Sequence, residues 1–300
     1  MKNTDSHLFI DDFYPKGFLQ VITIRSPVSQ GRLLHIETPK MPSLYTLITA
    51  SHIQGANSLE NTAVPILADE KISYIGEPIA LLAGPDISKL MEYASEFIIH
   101  TGEDLTGPNK KNGYTISAGT SRFIEKGGLK NIFKKSNTII DGTYRTGIQE
   151  HWYSDPHGAV AYYENKKLMV FTSTQWPFHV KRSISSLLDI KPDSVIVRPT
   201  LTGIHLDGKL WYPSLIACHA ALAASIVNKP VKLCLTRDED FLYSPKRNAG
   251  EITIKSAVNK KGELLGTDIS VKPRTYILQV KYHNVNVFYL FVIWFFIFSV

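Results

Sequence analysis

Cysteine is scarce in this sequence, since its 300 residues contain only Cys218 and Cys234. An iron–sulfur cluster needs about four thiolates, and no CxxC half-site for zinc occurs, so this chain by itself carries neither kind of centre. Cys218 lies in an alanine-rich helical run and Cys234 in an apolar strand. We therefore expect two reduced, buried thiols rather than a disulfide, which favours a reducing compartment.

Export signals and common catalytic motifs are also lacking. Residues 1–12 contain no continuous apolar stretch and no small-residue cleavage site, so we expect a cytoplasmic protein. The patterns GxSxG, P-loop and GxGxxG do not occur. The hallmarks of serine hydrolases and of nucleotide-binding folds are therefore absent.

Positive charge is concentrated rather than spread along the chain. The net charge is +6, and residues 101–137 contain seven Lys or Arg against three Asp or Glu. No zinc-finger spacing, helix-turn-helix pattern or aromatic RNA-binding motif accompanies this basic segment. It is interpreted as a solvated linker at 103–137, with a short amphipathic turn around Leu129, and not as a nucleic-acid surface.

Short strands and helices alternate on both sides of this segment. Residues 15–102 predict a first compact domain, with Asp86 capping a helix after an apolar strand. Residues 138–271 predict a second, layered domain that mixes parallel crossovers with antiparallel hairpins, so the fold class is α+β. The expected strands are 17–25, 33–37, 72–75, 79–83, 138–144, 158–163, 168–174, 194–198, 230–236, 251–258 and 263–271, and the later helices are Pro177 to Pro192 and Pro213–Val227.

The C-terminal residues break this pattern. Residues 285–300 carry no charge and seven aromatic side chains, and the uninterrupted apolar run of 287–298 is shorter than a bilayer span. Three interpretations stay open: a tail anchor, a buried β-like segment, or a non-native tail at 272–300. The last is favoured, and membrane association is not expected.

Several polar residues are candidates for a site. Glu150, His151, His157 and His179 do not match a known metal-ligand spacing, so we expect satisfied core or surface groups and no metal site. Three other features end strands or precede helices, where ligands are often bound, but taken singly each is better explained by ordinary strand-end polarity or structural ion pairing. They are Thr172–Gln175, the loop 203–209, and the charged corner Thr236–Phe241.

The order of the segments resembles the molybdenum-cofactor-binding large subunit of the xanthine dehydrogenase and aldehyde oxidase family. The similarity covers residues 15–271 in the family's order. It rests on Arg25-Ser26-Pro27, Pro65–Ala68, Tyr74–Ala80, Asp141–Gly147, Gln149–His151, Thr174-Gln175, 203–209, Pro230–Lys232, Leu235–Asp240 and Lys246-Arg247. The resemblance implies an a/b hammerhead domain at 15–102 and the first part of a molybdopterin-binding domain at 138–271.

That resemblance implies a function: oxidative hydroxylation of an aromatic heterocycle or aldehyde, with water as oxygen source, at molybdenum bound to a pterin. Electrons would leave through iron–sulfur and FAD subunits or domains, which are the implied partners; this chain itself holds neither Fe–S nor FAD. The implied cofactor-binding residues are Gln175, Gly203, Leu206 and Gly208, and no catalytic residue is assigned.

The loop departs from the family's glycine-rich run. His205 and Asp207 add side chains where glycine allows close backbone approach, Leu206 replaces an aromatic residue, and Leu210 stands where purine-oxidising members have a glutamate. The family's catalytic glutamate belongs to a later part of the large subunit. We therefore expect a fragment that is inactive alone; the alternative is a non-catalytic binding or scaffold module that docks partner subunits.

Overall fold

A computed structural model describes residues 8–102, 122–205, 207–273 and 278–283 of the chain. Contacts divide the chain into two compact units. Unit 1 combines Met1–Gly107 with Trp152–Pro245, and unit 2 combines Pro108–His151 with Lys246–Val300. Both units mix strands with helices, so the predicted α+β class is confirmed.

The elements of the described residues, in chain order, are as follows. They are β1 (Leu19–Arg25), β2 (Gly31–Glu37), β3 (Thr46–Thr49), β4 (Lys71–Ile72), β5 (Pro78–Gly84), α1 (Ile87–Glu96), β6 (Ile98–Gly102), β7 (Arg122–Glu125), α2 (Leu129–Lys135), β8 (Thr138–Thr146), β9 (Gly158–Glu164), β10 (Lys167–Thr172), α3 (Pro177–Leu188), β11 (Val195–Pro199), α4 (Tyr212–Val227), β12 (Val231–Cys234), α5 (Arg237–Tyr243), β13 (Gly250–Val258), β14 (Leu264–Pro273) and β15 (Leu278–His283).

A seven-stranded sheet organises unit 1, in the order β11-β10-β9-β12-β1-β5-β3. Strand β1 pairs in parallel with β12, through Leu19 and Val231, and β10 pairs in parallel with β11. Strand β9 is antiparallel to both β10 and β12. Strands β1, β10, β11 and β12 therefore all point the same way, and their carboxyl ends lie at one edge of the sheet.

Helices α3 and α4 form the main core with this sheet. Helix α4 is buried from Tyr212 to Ala224, and its small residues Ala217, Ala220 and Ala221 allow close approach to the strands. Burial of apolar surface of this kind is the main favourable term in folding, at about 25 cal/mol per Å². The segment Asp207–Val227 is long and apolar enough to cross a membrane, but 72% of its apolar window is buried inside the protein, as in a core helix.

A second, three-stranded sheet in unit 1 has the order β4-β2-β6. Helix α1 begins after Asp86, whose carboxylate accepts the backbone N–H groups of Ser88 and Lys89. Its Leu90 packs with Ala80 and Leu82 of β5. The predicted cap of this helix is confirmed.

Unit 2 contains a five-stranded sheet in the order β7-β15-β14-β13-β8. Strands β13 and β14 form the predicted hairpin, whose turn is closed by the Asn259 side chain and by Gly262 with φ of +80°. The predicted amphipathic turn is helix α2, and its Leu129 packs against Gly266 of β14.

Four predicted strands are longer than the observed ones, and two of them, 17–25 and 230–236, differ only at their ends from Leu19–Arg25 and Val231–Cys234. The strand expected at 72–75 pairs only over Lys71–Ile72, because the chain then turns through Gly76, whose φ is +81°. The strand expected at 168–174 ends at Thr172, because the Ser173 hydroxyl bonds to Asp155 and the Thr174 hydroxyl accepts the Trp176 N–H.

The predicted domain limits remain a prediction, although the seven-stranded sheet takes strands from both 15–102 and 138–271. Residues 103–121 of the expected linker lie outside the described residues. Of the expected tail, residues 278–283 form β15, beside β14 and β7. Residues 284–300 also lie outside the described residues, so the three interpretations of the apolar run stay open.

Candidate functional site

Polar segments converge where the parallel strands of unit 1 end. Residues 173–175 follow β10, residues 200–209 follow β11, and residues 235–237 follow β12. The segment 153–157 leads into the antiparallel β9 and so reaches the same edge. In α/β sheets the carboxyl edge of parallel strands is where ligands usually bind, so this edge is the candidate site.

Asp155 is the central acceptor of this edge. Its carboxylate is buried, with Oδ1 accepting the Gly203 N–H at 2.8 Å and Oδ2 accepting the Ser173 hydroxyl at 2.6 Å. One side chain thereby fixes the end of β10 and the start of the 203–209 loop. Burying a carboxylate is costly unless donors and a cation surround it.

The cation is supplied by Lys209, which is completely buried. Its Nζ donates to Asp155 Oδ2 at 3.1 Å, to the Asp155 carbonyl at 3.1 Å and to the Pro156 carbonyl at 3.3 Å. The Tyr153 ring centroid lies 4.9 Å from the same atom. Burial lowers the pKa of the Lys209 ammonium, and the Asp155 carboxylate partly opposes this effect. All three ammonium protons have acceptors, so Lys209 holds the loop in place and does not present a nucleophile.

A second buried pair, His157 and Asp240, supports the other end of the loop. The ring Nδ1 of His157 is hydrogen-bonded to Asp240 Oδ1, and Nε2 donates to the Gly208 carbonyl at 2.9 Å. Burial raises the pKa of Asp240, but the hydrogen bond and charge of His157 and the charge of Lys209 outweigh it, so the pKa lies below its usual range. This pair joins helix α5 to the loop.

Arg237, the first residue of α5, clamps the segment before β9. Its Nη1 donates to the Tyr153 carbonyl at 2.7 Å and its Nη2 to the Ser154 carbonyl at 2.9 Å. Helix α5 begins with a capping box in which Thr236 and Glu239 bond to each other's backbone N–H groups. The predicted structural role of this charged corner is confirmed, because both Arg237 and Asp240 bind the protein's own groups.

The structure brings three of the four predicted cofactor-binding residues into this network. The backbone N–H of Gln175 donates to the Lys209 carbonyl at 3.0 Å, and the Gln175 side chain is half-buried. Gly203 and Gly208 are held through Asp155 and His157. Leu206 lies outside the described residues. Contact of any of the four with a cofactor stays a prediction.

The packing around Gly203 leaves little room for a side chain at this position of the loop. A Cβ atom built there would lie 1.8 Å from Ser154 Oγ and 3.0 Å from Asp155 Oδ1. The protein's own packing therefore favours glycine at this position, independently of any ligand.

Sequence reasoning missed Asp155 and Tyr153. A signal was available, because Lys209 lies three residues before a largely apolar helix, where a buried ammonium needs a counter-charge. The sequence does not say which of the 27 acidic residues supplies it.

His157 and His179 are satisfied core groups, as predicted. His179 Nδ1 is 2.8 Å from the Ser214 hydroxyl, and its Nε2 donates to the Glu60 carbonyl at 3.1 Å. His157 is bonded as described above. Across 8–102, 122–205, 207–273 and 278–283, no group of three or more His, Cys, Asp or Glu residues could hold a metal ion.

Comparison with protein families matches residues 114–275 to the molybdopterin cofactor-binding domain. Aldehyde oxidase 2 of Macaca fascicularis is 27% identical over 282 residues, which are 89% of this chain and 20% of that protein. The nicotinate dehydrogenase large molybdopterin subunit of Eubacterium barkeri is 25% identical over 281 residues, which are 88% of this chain and 65% of that subunit. This chain thus spans about a fifth of the aldehyde oxidase and about two thirds of the bacterial subunit.

Solved structures share the fold. The aldehyde oxidoreductase of Desulfovibrio gigas superposes with a TM-score of 0.71 at 17% identity, covering 92% of this chain and 36% of that one. Quinoline 2-oxidoreductase of Pseudomonas putida 86 gives a TM-score of 0.68 at 19% identity, covering 92% and 42%.

Proposed function

The chain belongs to the molybdopterin cofactor-binding domain family of xanthine dehydrogenases and aldehyde oxidases, and from this premise we propose that it forms part of the large subunit of a molybdenum hydroxylase. The observation that carries the proposal is the hydrogen-bonded edge in which Gln175, Gly203 and Gly208 are fixed together. The substrate class is an aromatic heterocycle or an aldehyde, oxidised with water as the oxygen source.

The residues of this edge suit an anionic cofactor. Gln175 supplies a neutral amide, and the 203–209 loop precedes the N-terminus of α4, the positive end of the helix dipole. Within the first turn of this helix, Pro213 has no N–H group and the Ser214 N–H donates to the Trp211 carbonyl. When bound, the molybdenum–pterin group supplies the two-electron oxidation chemistry. The role of this chain's residues is to bind and orient that group.

Rigid support is the contribution that the buried ion pairs make. The ion pair of Lys209 and Asp155 holds one part of the loop, and the pair of His157 and Asp240 holds its end at Gly208. A loop held at both ends keeps its backbone donors and the neighbouring Gln175 in one geometry, which reduces the entropy lost on binding. Asp155 and Asp240 are each bound by their partners, so we assign neither as a proton acceptor.

Further elements of the proposal concern the rest of the complex. Residues 15–102 correspond to an a/b hammerhead domain, and the partners are further large-subunit sequence together with iron–sulfur and FAD subunits or domains. The 300-residue polypeptide by itself is inactive in this proposal. Its location is the cytoplasm, where its two free thiols stay reduced.

One observation favours a second candidate, a non-catalytic module that docks partner subunits. The protein's own groups already use the N–H groups of Gly203 and Gln175 and the carbonyl of Gly208. His205 is exposed beside them and adds a side chain at a position where the family carries glycine. Both features reduce the free backbone that a cofactor would meet.

Cofactor occupancy separates the two candidates. The chain is co-expressed with the remaining large-subunit segment of a related enzyme in a host that makes the cofactor, and molybdenum and pterin are measured per purified complex. We expect cofactor in the complex, and less of it with Gln175→Ala, because a hydrogen bond worth about 1 kcal/mol is lost.

The control is Gln54→Ala, which removes an exposed amide elsewhere in unit 1. Equal occupancy in Gln175→Ala and Gln54→Ala would show that Gln175 does not face the cofactor. Stable complexes without molybdenum or pterin would support the docking module instead.

A further inference from the structure

A small cavity in unit 1 lies beside the ends of β1 and β5 and is separate from the 203–209 loop. Its volume is about 70 Å³. A cavity volume of about 10–15 Å³ is enough for one water molecule, so this cavity can hold a group of four or five non-hydrogen atoms. The wall combines one guanidinium and three phenols with apolar side chains, and the lining residues used below are Arg25, Tyr74, Tyr212, Tyr243 and Leu215.

Arg25 has hydrogen-bonding capacity left over at this cavity. Its Nη1 donates to the Gly76 carbonyl at 3.1 Å, and its guanidinium carbon lies 4.1 Å from the Tyr243 ring centroid. Its Nε and Nη2 atoms are buried and have no hydrogen-bond partner within the described part of the chain. A buried donor without an acceptor is unfavourable, and a guanidinium edge matches two oxygens of one anion.

The tyrosines complete a set of donors. Partial burial raises the pKa of Tyr74, which is 44% exposed, to about 12. Burial also raises the pKa of Tyr212 to about 12, against the opposing charge and hydrogen bond of Arg25. Both phenols therefore keep their protons at neutral pH and can donate hydrogen bonds. Gly76 allows the arrangement, because a Cβ there would lie 2.5 Å from the Tyr243 ring that stacks on Arg25.

We propose that this cavity binds a small oxyanion, either a carboxylate or a tetrahedral phosphate or sulfate, through Arg25 with Tyr74 and Tyr212. The guanidinium supplies the charge and a fork of N–H donors, and the phenols bind the remaining oxygens. Leu215 and the Tyr243 ring exclude water from one side and so strengthen the ionic hydrogen bonds.

One neighbouring group opposes the anion. Glu77 is completely buried, its Oε2 accepts the Ser73 N–H, and its Oε1 has no hydrogen-bond partner in the described ranges. Burial raises the pKa of Glu77, and its charge acts on Tyr74. Replacing Glu77 by glutamine removes this negative charge while keeping the shape, so it should strengthen anion binding.

Titration of the full chain with defined anions tests the site. Sodium phosphate, sulfate, acetate and chloride are added at constant ionic strength, and binding is followed by calorimetry and by the thermal midpoint. We expect a saturable rise in the midpoint with at least one of the three oxyanions and not with chloride. The phosphate, sulfate and acetate arms distinguish a tetrahedral anion from a carboxylate.

Variants locate the binding. Arg25→Gln should weaken it by about tenfold or more and Tyr74→Phe by about threefold, because charged hydrogen bonds contribute more than neutral ones. Glu77→Gln should tighten binding by a similar threefold. Arg182→Gln is the matched control, since its guanidinium pairs with Glu60 at the surface.

Two results would overturn the proposal. One is the absence of saturable binding for all three oxyanions. The other is binding that Tyr74→Phe and Glu77→Gln leave unchanged, and this readout remains if Arg25→Gln does not fold. Because cofactor occupancy is not measured, the outcome is independent of the molybdenum proposal.

Discussion

The Nζ atom of Lys209 lies 3.1 Å from Oδ2 of Asp155, and the two side chains are 0% and 2% exposed. This ion pair joins the segment before β9 to the residues before α4. A buried pair of this kind stabilises only while both partners are present, because either one alone is an uncompensated charge.

We therefore predict that Asp155→Asn lowers the free energy of unfolding by about 3–5 kcal/mol. The double variant Asp155→Asn with Lys209→Met should recover part of this loss, because the unpaired ammonium is gone. Urea unfolding of the three proteins measures both effects.

A surface pair provides the control for this prediction. Arg145→Gln breaks the ion pair with Glu251, where the arginine is 79% exposed, and should change stability by less than about 1 kcal/mol. If Asp155→Asn costs no more than Arg145→Gln, the buried pair does not hold the loop.

Gly203→Ala is the second prediction. The added Cβ would lie 1.8 Å from Ser154 Oγ, so the loop or the serine must move, at a cost of about 1–3 kcal/mol. Ser154→Gly in the same chain should relieve most of the cost. Gly147→Ala is the neutral comparison, since no atom lies within 4 Å of its added Cβ. Additive effects of the Gly203 and Ser154 changes would refute the steric explanation.

The third prediction concerns the clamp made by Arg237. Lysine at this position can reach one of the two carbonyls of Tyr153 and Ser154 but not both with a planar fork, so Arg237→Lys should cost about 1 kcal/mol. It should also speed proteolysis near residue 154, where the backbone is released. Arg182→Lys, at an exposed ion pair, should change neither stability nor cleavage.

Local signals predicted much of the fold. Helix α1 was found through its Asp86 cap, helix α3 through Pro177 in its first turn, and the β13–β14 hairpin through its Asn259–Gly262 turn. Each of these elements is specified by neighbours within a few residues, which a single sequence displays directly.

Long-range pairing could not be predicted in the same way. Strand β1 pairs with β12 through Leu19 and Val231, and the apolar pattern of either strand would suit many partners. The same limit applied to the site. Gln175 and Gly203 were predicted as site residues through a family resemblance. Asp155 lies beside them only because the sheet brings the segment before β9 to the same edge.

The last prediction follows from His219 in the centre of helix α4. This side chain is completely buried, its Nε2 donates to the Ile66 carbonyl at 2.7 Å, and burial lowers its pKa to about 4. In the unfolded chain the pKa is near 6.5, so below that pH the unfolded state binds a proton that the folded state does not. The stabilisation is therefore complete above pH 6.5 and is lost as the pH falls towards 4, by about 3 kcal/mol in total.

Urea unfolding at pH 7, 6, 5 and 4.5 should show this decline, and His219→Gln, which keeps a donor for Ile66, should flatten it. Asp240 contributes a further loss only at lower pH, because its pKa lies below the usual carboxyl range. Equal slopes for His219→Gln and the unaltered chain between pH 7 and 4.5 would show that another group controls the acid sensitivity.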